Sequence, residues 1–279
     1  MKIERLLQEA GTRLKNAGIE SYAMEARILL KAVLGVSEEF LLLRSQDEVD
    51  LFKLDLFERF VARRAKLEPV AYIIGFREFY GRDFEVSSYV LIPRPDSEIL
   101  VEAILEDYKL HEGLQILELG VGSGCLIITL LLELKKASGV AVDISADAIE
   151  IARKNAARFN VSNIEFNKSD WFESVTQERK FDIIVANPPY IESDSLEVAQ
   201  ETALYEPHLA LFAADKGLVA YKEIAIKARS FLSVNGSIYL EIGYDQEDAV
   251  TGLFVAEGYL LHQKYRDLGG YIRCLHFKT

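Results

Sequence analysis

Cysteine and histidine are scarce in this chain of 279 residues. It has two cysteines, Cys125 and Cys274, and four histidines, all scattered along the sequence. Cysteines so few and so far apart argue against a disulfide framework and against a zinc site, and they are typical of a protein of the reducing cytosol. We therefore predict a cytoplasmic protein that holds no metal ion.

Long apolar runs are missing as well. No window is apolar enough over the roughly 20 residues that a helix needs to span a bilayer. The N-terminal segment "MKIERLLQEAGTRLKNAGIE" is amphipathic and carries charges of both signs, which is unlike a signal peptide. These features predict no membrane association.

Basic residues are outnumbered, 32 against 44 acidic ones, which gives a net charge of −12 at pH 7. Such a charge disfavours attraction to nucleic acid, so we expect no direct nucleic-acid partner. The acidic excess lies almost wholly after residue 85, which indicates two distinct units. Half of the residues are hydrophobic, enough for one large domain and a smaller one.

Three segments differ in their pattern. Residues 1–70 repeat apolar side chains at helical spacing without a strand candidate, which predicts an N-terminal helical bundle. Residues 71–95 are aromatic and β-branched around Gly81, which predicts a β-hairpin linker. Residues 96–279 alternate short apolar runs with helical segments and end in a β pair around Gly269 and Gly270.

The alternating segment predicts an α/β fold. Short apolar runs between helices form a mostly parallel sheet that helices cover on both faces. The final β pair predicts an antiparallel strand at one edge. We therefore expect a Rossmann-like catalytic domain over residues 96–279 beside the small helical bundle.

A glycine-rich loop, "ILELGVGSGCL", follows the first strand of this sheet. Its glycines Gly120, Gly122 and Gly124 allow a tight turn and close approach of a ligand to free N–H groups at a helix start. The dinucleotide fingerprint requires glycine at position 125, where this chain has Cys125. With Glu118 before it, the loop instead resembles the S-adenosylmethionine loop of class I methyltransferases. A tight turn without a ligand is the alternative.

Three later residues fit the same ligand. Asp143 ends the next strand, where an acid can hold ribose hydroxyls, although it could also cap the following helix, as could Ser145. Asp170 follows the third strand and could accept from an adenine amino group. Its neighbour Trp171 could supply a flat apolar wall, or it could anchor the core.

The fourth strand ends in "VANPPYIES". Consecutive prolines lack N–H donors and hold the residue before them extended. The side-chain oxygen of Asn187 and the carbonyl of Pro188 could therefore each accept one hydrogen of a planar –NH2 group and aim its nitrogen at a methyl donor. Tyr190 could stack on that planar group. A loop without function is the alternative.

The residues alone predict an S-adenosylmethionine-dependent N-methyltransferase acting on a planar amide or amino group. An adenine-N6 methyltransferase of DNA or RNA would need a basic groove and base flipping, which the charge of −12 disfavours. A cofactor-binding interaction protein without activity is a second alternative, which the intact "NPPY" disfavours.

Six motifs carry a resemblance to a known family: "YIIGFREFYG", "VLIPRPDSEILVE", "LELGVGSGCL", "NKSDWF", "VANPPYIES" and "LYEPHLALFAADKGL". Their order is similar to that of the PrmC/HemK family of release factor glutamine methyltransferases, over essentially the whole chain. "NPPY" is shared with adenine methyltransferases, but "IPRPDSE" is more specific, because the sister branch that methylates a ribosomal protein typically reads Pro-Arg-Ser-Pro there. That branch stays a further alternative. Ser97 replaces a common threonine, and Cys125 a residue that is frequently smaller.

The resemblance implies methyl transfer to the glutamine side-chain nitrogen of the Gly-Gly-Gln motif in bacterial class-1 peptide release factors, with S-adenosylhomocysteine as product. It implies a catalytic group of Asn187, Pro188 and Tyr190. The implied cofactor-binding residues are Glu118, Gly120, Val121, Gly122, Ser123, Gly124, Asp143, Asp170, Trp171 and Asn187. The implied substrate-binding residues are Asn187, Pro188, Pro189, Tyr190 and Arg94.

Some assignments stay open even with this resemblance. Arg94 could meet the substrate or the cofactor loop, or it could be a surface charge. Glu206 matches a family position, but a role in a loop or helix start is equally compatible. The N-terminal helices would bind the release factor, where Arg63, Arg64 and Lys66 could meet an acidic face or form a solvated helix end. We expect a monomer.

Overall fold

A computed structural model describes residues 1–192 and 199–279 and divides the chain into two compact units. The first unit extends to Phe76 and is completed by a later helix at Gln200–Tyr205. Its other helices are α1 (Ile3–Asn16), α2 (Tyr22–Leu34), α3 (Glu38–Leu43), α4 (Leu51–Arg64) and α5 (Val70–Ile74).

Local sequence signals set the ends of these helices. Ser37 caps α3 by accepting from the backbone N–H of Phe40, and Asp50 caps α4 in the same way. Gly35, which has a left-handed φ of 70°, caps the C-terminus of α2. The apolar stripe of α1, predicted from its spacing, is buried in the core of this unit.

The basic cluster at the end of α4 does not form an open patch. Arg64 is 5% exposed and bonded to the carboxylates of Glu25 and Glu201. Arg63 is paired with Glu68. Arg64 thus joins the late helix Gln200–Tyr205 to the helical unit, and the expectation that it meets a partner or solvent is wrong.

The second unit begins at Arg77 and holds the strands. Strands β1 (Phe76–Phe79) and β2 (Arg82–Glu85) form a hairpin around Gly81. The alternating part contains α6 (Glu98–Tyr108), β3 (Gln115–Leu119), α7 (Cys125–Glu133), β4 (Ser138–Asp143), α8 (Ala146–Arg158), β5 (Ile164–Lys168), β6 (Phe181–Ala186) and β7 (Ile191–Glu192). After α9 (Gln200–Tyr205) come α10 (His208–Leu211), β8 (Phe212–Ala213), α11 (Ala214–Gly217), α12 (Val219–Ala228), β9 (Leu232–Glu241), α13 (Glu247–Ala256), β10 (Leu260–Arg266) and β11 (Ile272–Lys278).

Seven of these strands form one sheet in the order β10-β11-β9-β6-β3-β4-β5. Strands β9, β6, β3, β4 and β5 are parallel neighbours, and β11 runs antiparallel to both β9 and β10. The predicted mostly parallel fold, with the final β pair at one edge, is confirmed. The antiparallel strand itself lies one position in from the edge, because β10 is the outer strand.

Helices cover both faces of the sheet, as the sequence predicted. One core contains apolar side chains of α6, α7 and α8, and the other contains those of α12 and α13. Alternate residues of β3 divide between them, with Ile116 in the first core and Leu117 in the second. The apolar runs are therefore strands buried on both sides.

Sheet order determines which loops meet. From β3 the chain proceeds outward to β4 and β5, and then crosses to the other side of β3 for β6 and β9. The carboxyl ends beside such a switch point form a crevice in open α/β sheets. The loops after β3, β4, β5 and β6 are those in which the sequence placed the candidate site. Within residues 1–192 and 199–279, no helix is long and apolar enough to cross a membrane.

Candidate active site

The glycine loop is a left-handed turn between β3 and α7. Gly120, Gly122 and Gly124 have φ values of 76°, 52° and 80°, which favour glycine. A Cβ atom on Gly120 or Gly122 would meet nothing within 4 Å, whereas one on Gly124 would lie 2.8 Å from Ile128 Cδ1. The first two glycines therefore face open space for a ligand, and the third allows close packing of the helix.

Two carboxylates flank this loop. Glu118 is buried and accepts from the backbone N–H of Ile127 at 3.2 Å, and burial raises its pKa well above the usual value. Asp143 accepts from the backbone N–H groups of Gly122 and Ser145, each at 2.9 Å, while burial raises its pKa. Asp143 thus joins the glycine loop to the end of β4.

The cap of α8 is a separate residue. The side chain of Ser145 accepts from the backbone N–H of Ala148, so the alternative role considered for Asp143 belongs to Ser145. The carboxylate of Asp143 remains beside the glycine loop with lone pairs available for a ligand.

A cavity of about 430 Å³ in the second unit brings the candidate residues together. The predicted residues that line it are Arg94, Glu118, Gly120, Val121, Gly122, Ser123, Asp143, Asp170, Trp171, Asn187, Pro188 and Pro189. Gly124 and Tyr190 do not line it. The loops after four different strands therefore share one cavity.

Trp171 meets both descriptions considered for it. It lines the cavity, and it also packs against the core on the α12 side of the sheet. Its φ of 45° is unusual for a bulky residue and turns the chain sharply after β5. A tryptophan fixed in this way gives the cavity a rigid apolar wall.

The side chains of Asn187 and Tyr190 have different neighbours. Nδ2 of Asn187 donates to Ser97 Oγ at 3.1 Å, which leaves its amide oxygen for a ligand. Tyr190 is half-buried, packs against the core, and donates to Oε1 of Glu241 at 3.5 Å. Burial raises the pKa of Tyr190, and the carboxylate of Glu241 raises it further.

Arg94 forms an ion pair with Glu206. The carboxylate of Glu206, which is 3% exposed, accepts from the Arg94 guanidinium and from the backbone N–H of Ile92 at 3.0 Å. Arg94 is therefore held at the cavity wall rather than lying free on a linker, and Glu206 fixes the loop that carries it.

Three buried polar residues near the site were assigned no role from the sequence. Ser97 and Glu241 lie beside Asn187 and Tyr190. The side-chain amide of Gln246 accepts from the N–H of Gly243 in its own loop and donates to the carbonyls of Tyr190 and of Lys216 in α11. An acidic residue at the end of an otherwise apolar strand, "SIYLEIG", was the one available signal for Glu241.

Comparison with known proteins shows to which family this architecture belongs. The profile of the PrmC N-terminal domain matches residues 5–75, and that of the methyltransferase small domain matches residues 95–209. A release factor glutamine methyltransferase of Agrobacterium fabrum is 39% identical over 275 residues, which cover 96% of this chain and 94% of that protein. The chain belongs to the release factor glutamine methyltransferase family.

Further relatives differ in length or only share the fold. A bifunctional methyltransferase of Rickettsia felis is 43% identical over 99% of this chain, but the chain spans 58% of the length of that relative. A methyltransferase structure from Pyrococcus furiosus aligns with 78% of this chain and 96% of its own at a TM-score of 0.53 and 21% identity. The family resemblance noted in the sequence is confirmed, and so is the methyltransferase fold.

No metal-ion site is evident in the side chains of residues 1–192 and 199–279. Among the described residues, no set of three or more His, Cys, Asp or Glu side chains is placed to hold a metal ion. The cavity instead combines glycine backbone, buried carboxylates and one amide.

Proposed function

We propose that this chain transfers a methyl group from S-adenosylmethionine to the glutamine side-chain nitrogen in the Gly-Gly-Gln motif of a bacterial class-1 peptide release factor. The observation that carries the proposal is the shared cavity, where Asn187 and Pro188 lie with the glycine loop. Family membership and the release factor named for the Agrobacterium relative support the substrate.

The cavity fits S-adenosylmethionine. Gly120 and Gly122 leave open space where a side chain would stand, and Asp143 keeps acceptor capacity beside them. In this proposal Asp143 accepts from ribose hydroxyls, Asp170 accepts from the adenine amino group, and Trp171 covers a flat face of the ligand. When bound, S-adenosylmethionine supplies a methyl group on a positively charged sulfur, open to attack by a nucleophile.

The proposed methyl acceptor, an amide nitrogen, is a poor nucleophile. The nitrogen of a glutamine amide shares its lone pair with the carbonyl, so attack requires that the N–H groups be oriented and that the developing positive charge be stabilised. The side-chain oxygen of Asn187 and the carbonyl of Pro188 would accept one N–H each. Proton loss follows once the nitrogen is charged, so no dedicated base is required.

Substrate recognition extends beyond the cavity in this proposal. Arg94, fixed by Glu206 at the cavity wall, would contact the substrate segment, and Pro189 would line the glutamine pocket, which Tyr190 would support from the core side. The helical unit would bind the release factor. The alternatives, an adenine in nucleic acid or a glutamine in a ribosomal protein, would use the same two acceptors.

Labelled-methyl transfer tests the substrate. The purified chain is given labelled S-adenosylmethionine with an unmodified class-1 release factor, its Gly-Gly-Ala variant, a ribosomal protein fraction, or duplex DNA. We expect label on the intact release factor and on none of the others. Label on DNA or on a ribosomal protein instead would overturn the proposed substrate and leave the methyltransferase fold.

Replacement of Asp143 tests the cofactor site. Asp143→Asn is expected to weaken S-adenosylmethionine binding about 10- to 100-fold, because a charge-assisted acceptor is lost and an amide –NH2 opposes the N–H of Gly122 or Ser145. Fluorescence of Trp171, the single tryptophan, reports the binding.

The matched control is Asp147→Asn, which changes an exposed aspartate in the first turn of α8. It should bind like the wild type. Because the pKa of Asp143 is raised, wild-type affinity should fall as the pH drops through that raised pKa, and Asp143→Asn should lose this dependence. Equal affinity in both variants would contradict the assignment of Asp143.

A further inference from the structure

A serine that the proposed chemistry does not use holds the side chain of Asn187. Nδ2 of Asn187 donates to Ser97 Oγ at 3.1 Å, and Ser97 is 4% exposed. Ser97 ends the single turn Pro95–Ser97 that precedes α6. With its nitrogen bonded to this serine, Asn187 has its oxygen left to accept a substrate N–H.

A buried carboxylate lies next to this pair. Glu241 ends β9 and is 1% exposed. Its Oε1 accepts from Tyr190 Oη at 3.5 Å, while its buried Oε2 has no hydrogen-bond partner among residues 1–192 and 199–279. A carboxylate only accepts hydrogen bonds, and a buried acceptor without a donor costs free energy. Oε2 therefore requires a donor.

The Ser97 hydroxyl is a suitable donor. Its oxygen accepts from Asn187, so its own hydrogen is available, and burial keeps it from bulk water. Burial raises the pKa of Glu241, and the polar side chains of Ser97 and Asn187 near the carboxylate oppose that rise. A small shift of the Ser97 side chain, with rotation of its hydroxyl, would direct this hydrogen to the unpartnered Oε2.

We propose that Glu241 and Ser97 are positioning residues that fix the Asn187 amide with its oxygen toward the substrate. Glu241 takes the Ser97 hydrogen, so the Ser97 oxygen can only accept. A flipped Asn187 amide would set oxygen against oxygen at Ser97 and present N–H to the substrate N–H. This inference rests on the proposed function, since it assigns a purpose to the oxygen of Asn187.

Protonation of Glu241 would weaken this arrangement. Burial raises its pKa to about 7, and Asp96 raises it too, against the effects of Ser97, Arg273 and Asn187. A protonated carboxyl carries its own hydrogen on one oxygen, which then donates a hydrogen bond where the carboxylate accepted one. The titratable or charged groups that surround Glu241 from neighbouring elements are Asp96, Cys125, Tyr190, Tyr221, Arg273 and Cys274.

The neighbouring thiols and phenols do not titrate near neutral pH. Burial raises the pKa of Cys125 to about 12, and it raises those of Tyr190, Tyr221 and Cys274 as well. All four therefore stay protonated. We expect the wild-type kcat, at saturating cofactor, to fall as the pH drops below about 7, as Glu241 takes up a proton.

The test compares Ser97→Ala, Ser97→Thr and Glu241→Gln with the wild type on an intact release factor, from below to above neutral pH. Ser97→Ala should lower kcat about 10- to 100-fold through misorientation of Asn187, with the cofactor affinity read by Trp171 fluorescence unchanged. Ser97→Thr keeps the hydroxyl and should retain most of the wild-type kcat. Glu241→Gln should lose the decline of kcat near pH 7.

Each outcome decides between the hypotheses. An inactive wild-type chain would overturn the proposed function together with the positioning roles. An active wild type beside an equally active Ser97→Ala variant, or a decline near pH 7 that persists in Glu241→Gln, would overturn the positioning roles alone. If Glu241→Gln does not fold, the contrast between Ser97→Ala and Ser97→Thr still decides.

Discussion

Asn187→Ala should lower kcat for release factor methylation about 1000-fold while the variant still folds and binds S-adenosylmethionine. The oxygen of Asn187 matters most in the transition state, when positive charge develops on the glutamine nitrogen. Alanine removes that acceptor and also the N–H group that donates a hydrogen bond to Ser97 Oγ. The measurement is single-turnover transfer of labelled methyl at saturating cofactor, with cofactor affinity from Trp171 fluorescence.

The control for this variant is Asn167→Ala, which removes an asparagine of β5 whose side chain bonds to Glu165 and does not line the cavity. It should retain wild-type kcat. If Asn187→Ala stays within about 10-fold of the wild type, Asn187 is not the acceptor that orients the amide. If it loses cofactor binding to the same extent as kcat, Asn187 acts through the methyl donor instead.

Gly217→Ala is expected to lower kcat about 100-fold and the free energy of unfolding by about 1 to 3 kcal/mol. Gly217 has a φ of 77°, and a Cβ there would lie 2.0 Å from the carbonyl oxygen of Tyr190 and 2.7 Å from Nε2 of Gln246. One of these groups has to move. Since Tyr190 lies two residues after Pro188, the proposed acceptor carbonyl would be displaced as well.

A glycine elsewhere in the same unit provides the comparison. Gly252 lies within α13, and a Cβ there would meet nothing within 4 Å. Gly252→Ala should leave kcat unchanged and slightly stabilise the chain, because alanine favours the helix by up to about 1 kcal/mol. Denaturant unfolding and methyl transfer are measured on both variants. Gly217→Ala with wild-type values of both would show that the Pro-Pro-Tyr loop tolerates displacement.

Much of the fold followed from local patterns. Apolar runs between helical segments predicted a parallel sheet, and β3, β4, β5 and β6 lie where those runs occur. The glycine loop could be identified because a left-handed turn at a helix start demands glycine in that spacing. "NPPY" was recognisable because two prolines constrain the backbone by covalent geometry alone.

The end of the chain shows a limit of such patterns. A terminal β pair was expected to put an antiparallel strand at the sheet edge, but β11 inserts between β9 and β10. Hydrophobic alternation indicates that a strand is buried, and it carries no information on which neighbour the strand pairs with.

The sequence by itself determined the α/β architecture, the family, and the residues whose roles depend on local backbone geometry. Tertiary structure alone decided which distant groups support them: Ser97 next to Asn187, and Glu241 and Gln246 next to Tyr190. These contacts join residues 51 to 90 positions apart. They exist because the chain crosses from one side of β3 to the other, which sets the ends of β6 and β9 side by side. No local periodicity encodes that proximity, so buried polar partners of a site become visible only in the folded chain.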